Sequence, residues 1–226
     1  MASFLDQSLG QIARQLAGAT AVFHAYQLDF CCNGDRTLRQ AATEAGLDAN
    51  AIAQRLQDLP PMAAQSQERD WAAAAPAELI AHILKRFHAA HREQLPELIR
   101  LARRVEQVHA QREGCPLGLA DHLCAMQQAL EEHMRKEEMI LFPMLARGAG
   151  AMASGPIHVM RMEHDDHGHA LQRLSELTGG LTPPPEACTT WRALYTGLRA
   201  LREDLMQHIH LENNILFLHG QQAEAA

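Results

Sequence analysis

The sequence predicts an all-α chain, an antiparallel four-helix bundle preceded by a small helical unit, on three observations. Apolar residues make up 47% of the 226 residues but aromatics only 4%, and the prevalence of Ala, Leu, Gln, Glu and Arg favours helices over sheets. Four long segments in the C-terminal two thirds carry apolar residues at steps of three and four, the period of a helix with one face on a core. Gly- and Pro-bearing connections at 110–116, 148–156 and 179–187 separate these segments. Connections that short join antiparallel neighbours.

Residues 1–59 hold four short apolar groupings, Leu9 to Leu16, Ala19 to Tyr26, Leu38 to Ala45 and Ile52 to Leu59, divided at Gly18, Asn33-Gly34 and Gly46. Four short helices are predicted there, with a core too thin to be more than marginal alone. Residues 60–76, which open on Pro60-Pro61 and continue in Ala, Gln and Ser, are the predicted linker. Residues 77–226 form the predicted bundle.

In the first bundle segment Ile80, Leu84, Phe87, His91, Leu98 and Val105 trace one seam, with His88 beside it, so either histidine could turn inward. Pro96 is expected to kink this helix. The second segment runs Leu119, Leu123, Met126, Leu130, His133, Glu137, Ile140 and Met144 in steps of four and three. The third gives Ile157, Met160, His164, His167, Leu171 and Leu174, and the fourth Trp191, Leu194, Leu198, Leu201, Leu205, His208, Glu212 and Ile215. Polar side chains thus interrupt the core line of every long helix.

Composition removes several function classes. A formal charge of -7 with no Lys/Arg-rich block offers no footprint for nucleic acid. No apolar run is long enough to span a membrane, and Met1 to Gly10 has neither the basic start nor the apolar stretch of an export signal. A soluble, cytoplasmic protein is expected. Five cysteines without such a signal read as thiols, not as a disulfide framework. Cys31-Cys32, ahead of an Asn-Gly-Asp turn, are either small apolar fillers or a partly exposed thiol pair able to react or to bind a transferred ion. Cys115 and Cys188 fall at the same end of an up-down-up-down bundle.

Two helices carry His-x-x-x-Glu on their core side, His133/Glu137 and His208/Glu212, a spacing that puts both side chains on one face. One such motif is commonly a surface pair. Two of them on buried seams need compensation, because an unpaired interior carboxylate costs several kcal/mol. With a seam histidine in each remaining helix, metal binding is the reading that supplies it. Imidazole and carboxylate without thiolate suit iron, manganese or zinc, and carboxylates projecting from opposing helices are the usual bridge between two such ions. Two ions are therefore expected, each with two imidazoles and two carboxylate oxygens, and with an oxo or hydroxo bridge one position stays open for a ligand such as O2 or NO. Axial levels counted from the loops agree across the first two connections. They disagree at the third, where His164 is 18 residues before position 182 and His208 is 26 after it. His109, 21 residues past His88, is too far along the helix to share the site.

The stretch His-Met-Arg-Lys-Glu-Glu-Met-Ile-Leu-Phe-Pro (133–143) resembles the hemerythrin-type signature. The likeness extends through Arg86-Phe-His-Ala-Ala-His-Arg-Glu-Gln-Leu-Pro-Glu-Leu (86–98), Glu163-His164-Asp165, Thr182-Pro-Pro-Pro-Glu-Ala-Cys-Thr-Thr-Trp (182–191) and His208-Ile-His-Leu-Glu-Asn-Asn (208–214). Together these resemble the di-iron RIC proteins, the iron-sulfur cluster repair family. Tyr26-Gln-Leu-Asp-Phe-Cys-Cys-Asn-Gly (26–34) resembles that family's small ScdA-type N-terminal domain. The resemblance implies a hemerythrin-like bundle holding two Fe ions on His88, His133, Glu137, His164, His208 and Glu212, with both glutamates bridging. Oxygen-carrying hemerythrins add a histidine four residues after the third-helix one, where this chain has Gly168, and His167 is outside the family pattern.

The function so implied is repair of iron-sulfur clusters damaged by nitrosative or oxidative stress, by iron donation. Its partners would be damaged or apo iron-sulfur proteins, and Cys31 and Cys32 would serve redox or metal transfer. Two alternatives stay open, an NO-reducing di-iron enzyme producing N2O and a sensor or carrier of O2 or NO. A homodimer through the N-terminal units is a further open expectation.

Overall fold

The computed structural model describes residues 4–16, 18–59, 70–149 and 152–218. Among them the secondary structure is helical, apart from one isolated bridge between Ser8 and Thr37. Four short helices open the chain: α1 (Leu9–Gln15), α2 (Ala19–Ala25), α3 (Leu38–Glu44) and α4 (Ala49–Gln57). Three begin on side-chain caps, from Ser8, from Thr37 in a reciprocal box with Gln40, and from Asp48. Each cap satisfies amide donors that a helix start leaves unpaired. Leu9, Ile12, Phe23, Phe30, Leu38, Ile52 and Leu56 form their shared core. Residues 60–69 of the expected linker lie outside the described residues.

The bundle's first helix starts with Pro76 in the first turn of α5 (Pro76–Ile83), passes through a π-helical turn at Leu84–His88 and continues as α6 (Ala89–His109). Helical geometry runs through Pro96, so the departure from it lies just upstream. The second helix is α7 (Leu119–Lys136), a π-helical turn at Glu137–Leu141, and α8 (Phe142–Ala146). The third is α9 (Ser154–Leu177). The fourth is α10 (Thr189–Leu211), followed by a π-helical turn at Glu212–Leu216. Helix α6 packs against α7 and α10, and α7 also packs against α9.

The π turns correct one part of the sequence reading. Beyond Glu137 the seam was expected at Ile140 and Met144, but Ile140 is 53% exposed and the core positions are Leu141 and Leu145. A π turn inserts one residue into the helical repeat. The apolar phase therefore moves on by one, and a constant 3.6-residue period misses it.

Two apolar layers fill the bundle. One contains Leu95, Leu98, Leu123, Leu130, Leu171, Leu174, Trp191, Leu198 and Leu205. The other contains Ile83, Phe87, Leu141, Leu145, Ile157, Met160, Leu211 and Ile215. Along every long helix the polar seam residues fall between these layers, so the bundle holds a polar belt with hydrocarbon above and below it.

The N-terminal unit docks onto the belt's end of the fourth helix. Asn213 Nδ2 donates to the carbonyl of Cys31 at 3.0 Å, and Asn214 Nδ2 to that of Phe30 at 3.3 Å. Asn214 is seated between Gly10 and Gly34; a Cβ on Gly34 would come 2.7 Å from the Phe30 carbonyl and 2.9 Å from Asn214 Oδ1.

Candidate metal centre

His88, Glu137, His208 and Glu212 bring ligand atoms together in one group, and His133, Glu137, His164 and Glu212 in a second. All six side chains singled out in the sequence are buried, and the two glutamates belong to both groups. In the first group His88 Nε2 and His208 Nε2 are 3.2 Å apart, Glu137 Oε2 is 3.4 Å from His88 Nε2, and Glu212 Oε1 is 3.1 Å from His208 Nε2. In the second, His133 Nε2 and His164 Nε2 are 3.1 Å apart, with Glu137 Oε1 3.4 Å from His133 Nε2 and Glu212 Oε2 3.1 Å from His164 Nε2. Each carboxylate thus turns one oxygen toward each histidine pair. From His164 to the end of α9 is 13 residues and from the start of α10 to His208 is 19, so most of the axial excess counted across the third loop lies in α10 itself.

The π turns have a part in this. They end at His88 and start at Glu137 and Glu212. A widened turn redirects the side chains at its ends, which is why such bulges gather at functional sites. His133, His164 and His208 come from regular α-helix, in α7, α9 and α10.

Hydrogen bonds on the outer nitrogens decide which way the inner ones face. His88 Nδ1 is 2.8 Å from Glu138 Oε1, His133 Nδ1 is 2.9 Å from Glu163 Oε2, and His164 Nδ1 is 2.9 Å from Asn213 Oδ1. These acceptors hold the proton on Nδ1 of a neutral ring and leave the Nε2 lone pair pointing inward. Burial disfavours the charged form of two of these rings: it pulls His88 down to about 4, with His208 adding to the effect, and lowers His133 as well. The Glu163 carboxyl is held down at about 2 by its hydrogen bond to His133, and Lys136 also contacts it.

The interior is therefore a ring rich in acceptors, in which His208 Nε2, 3.1 Å from Glu212 Oε1, is placed to share a proton. Neither oxygen of Glu137 has a hydrogen-bond partner, nor has Glu212 Oε2. Burial, and after it the neighbouring Glu212 charge, raises the Glu137 carboxyl well above its usual range; no hydrogen bond of normal geometry joins the two. Burial opposes ionisation of Glu212 too, but His208 and His164 outweigh it and hold that carboxyl low. Lone pairs converging at 3.1–3.4 Å with few protons to share are what a cation resolves. Donors at about 2.1 Å from a common ion have such spacings, and nitrogen with carboxylate oxygen suits iron.

Other histidines fall outside the ring. His91 is fully buried with its ring centroid 5.4 Å from that of His208; neither nitrogen has a hydrogen bond of normal geometry, although Gln94 lies close enough to bear on it. His167 meets His133 edge to face at 4.9 Å, and its Nε2 is unpartnered. His109 is remote, with Nε2 3.4 Å from Cys188 Sγ and its ring stacked on Trp191. All five cysteines are free. Sequence reasoning assigned no role to Glu138, Glu163 and Asn213. The signal available was position, since each is adjacent to a predicted ligand.

Residues 79–218 match the family described as Hemerythrin HHE cation binding domain, and residues 5–60 match ScdA_N, described as a domain of unknown function. The chain is 53% identical over 214 residues to an iron-sulfur cluster repair protein YtfE of Dickeya chrysanthemi, covering 95% of this chain and 96% of that one. It is 49% identical over 215 residues, with the same coverage, both to the YtfE of Escherichia coli and to a probable iron-sulfur cluster repair protein of Haemophilus influenzae. The buried His/Glu belt lies within the stretch that matches the cation binding domain, in a chain that is similar to these proteins along nearly its whole length, and the chain belongs to the YtfE family of iron-sulfur cluster repair proteins.

Proposed function

We propose that this protein repairs damaged iron-sulfur clusters by supplying iron from a pair of irons held in the His/Glu belt. The observation that carries the proposal is the sharing of Glu137 and Glu212 between two histidine pairs. His88 and His208 would hold one iron and His133 and His164 the other, with both carboxylates bridging. Bound iron would supply redox chemistry and a ligand position, since four protein donors leave an iron coordinatively unsaturated.

The chain's own residues account for a centre that is held but can be emptied. Glu138, Glu163 and Asn213 fix three of the imidazoles, which keeps the donors in place without the ion. Two carboxylates shared by two ions leave each ion only two donors of its own, both neutral. The apolar layers on either side exclude water and strengthen the carboxylates' hold. Protonation of a carboxylate would weaken both ions at once.

Relatives named for iron-sulfur cluster repair support this reading, as does the cation binding domain. It implies a small Cys-containing unit at 1–59, a linker at 60–76 and the iron-holding bundle at 77–226, acting in the cytoplasm on damaged or apo iron-sulfur proteins. No helix among the described residues is long and apolar enough to cross a membrane. The unsaturated donor set favours a second reading, reduction of NO at the same irons. Incubation of the reduced, iron-loaded protein with an apo-cluster enzyme, and separately with NO, distinguishes them. Recovery of acceptor activity with loss of iron is the expected result; repeated N2O formation with iron retained would replace donation by catalysis.

A further inference from the structure

We propose that Asp29, Cys31 and Cys32 form a second, mononuclear site for a thiophilic divalent cation, beside α9 and next to the His/Glu belt. The three side chains bring their ligand atoms together without any contribution from the belt. Cys31 Sγ and Cys32 Sγ are 3.7 Å apart, close to the ~3.8 Å that separates two thiolates bound at about 2.3 Å to one tetrahedral ion. Asp29 Oδ1 is 3.2 Å from Cys31 Sγ.

The carboxylate is fixed in advance. Its Oδ1 accepts from the backbone amides of Cys31 and Cys32 at 3.2 and 3.0 Å, and its Oδ2 from Asn33 Nδ2 at 2.6 Å. The cluster lines a cavity of about 560 Å³ between the N-terminal unit and helices α9 and α10. His24 lines the same cavity, and its buried Nδ1 has no hydrogen-bond partner, but its ring lies outside the cluster of ligand atoms. Binding would exchange two thiol protons, released to solvent, for two metal-sulfur bonds, with no electron transferred.

Position gives the site its use. Cys32 Sγ donates to the carbonyl of His164 at 3.2 Å, and Asn213 joins His164 Nδ1 to the Cys31 carbonyl. One ligand residue of the belt therefore touches the thiol pair through its backbone and, by way of Asn213, through its ring. Ferrous iron leaving the belt would be received here on its way to an acceptor. That role rests on the donor reading above; the existence of the site does not.

Titration of the metal-free full-length chain with Co(II) tests the site, because thiolate-to-cobalt charge transfer in the near ultraviolet separates sulfur ligation from the His/carboxylate ligation of the belt. The band is expected in the unaltered chain and in Glu137→Leu, and is expected to vanish in Cys31→Ser/Cys32→Ser while the visible bands of the belt remain. Asp29→Asn should weaken the sulfur-bound cobalt at least tenfold. No band in the unaltered chain, or a band that survives the double serine substitution, overturns the site. The rate at which iron passes to an apo-cluster acceptor then tests the role: slower transfer from the double variant supports it, and an unchanged rate removes it. Should the unaltered protein fail to reactivate any acceptor while the cobalt band is present, the donor reading falls and the thiol site stands.

Discussion

Replacing Glu137 by leucine should stabilise the metal-free protein and abolish its response to metal. The side chain is completely buried and neither oxygen is hydrogen bonded. An unsatisfied buried polar group costs about 1–3 kcal/mol, so an apolar replacement of similar size should recover roughly 2–3 kcal/mol. For a chain of this length that is a rise in Tm of about 5–10 °C. With metal the order reverses. Each ion present at a hundred times its Kd adds about 2.7 kcal/mol to the unaltered protein. Two ions would add about 5 kcal/mol, or roughly 10–20 °C, and the variant, which lacks an oxygen at both ions, should gain little. Thermal unfolding followed by circular dichroism, with and without Fe(II) under anaerobic conditions, gives all four values. A metal-free variant that melts below the unaltered protein, or one that keeps the metal-induced rise, would refute the argument that this carboxylate is an ion ligand held at a cost to the empty fold.

Other expectations follow from the same geometry. Glu163→Ala removes the acceptor on His133 Nδ1 and should weaken metal binding by about 10- to 100-fold, measured by competition with a chelator; affinity within twofold of the unaltered protein would remove that hydrogen bond from the account. Acid should unfold the metal-free chain steeply. Burial holds His91 at about 2 and His167 and His210 at about 3, against the ordinary 6.5, so the folded state stays neutral where the unfolded state takes up protons. The stability linked to these groups is complete above pH ~6.5 and falls with decreasing pH, by about 1.4 kcal/mol per unit for each histidine and about 4 for the three. Urea midpoints between pH 7 and 5 that do not move would contradict it. Gly34→Ala places a methyl group against the Phe30 carbonyl and Asn214, and an overpacking cost of about 1–3 kcal/mol should appear as faster hydrogen exchange in α1 to α4, with α6 and α7 little affected.

Much of the centre was legible in the sequence because ligands in a bundle must interrupt an apolar seam. His133, Glu137, His208 and Glu212 stand where leucine otherwise recurs, and no surface pattern explains two such interruptions. The choice between His88 and His91 was not legible from spacing. Both are buried, and the π turn ending at His88 decides which one joins the ring. The same cause hid the shift from Ile140 to Leu141, since a π turn depends on a hydrogen-bond ladder one residue out of step and leaves no compositional mark. Glu138, Glu163 and Asn213 were hidden for a different reason. A charged or amide residue next to a ligand looks like any solvent-facing position until a neighbouring helix presents an imidazole to it.

By itself the sequence determined that the chain is helical, that a small unit precedes four long helices, and that histidine and glutamate interrupt the interior face of those helices, because hydrophobic period and turn residues are local properties. Only the tertiary structure decided which nitrogens and oxygens meet, that both glutamates serve two histidine pairs, and that Asp29, Cys31 and Cys32 lie against the backbone of His164. Those are distances between segments far apart in the chain, set by how helices pack and where their turns widen.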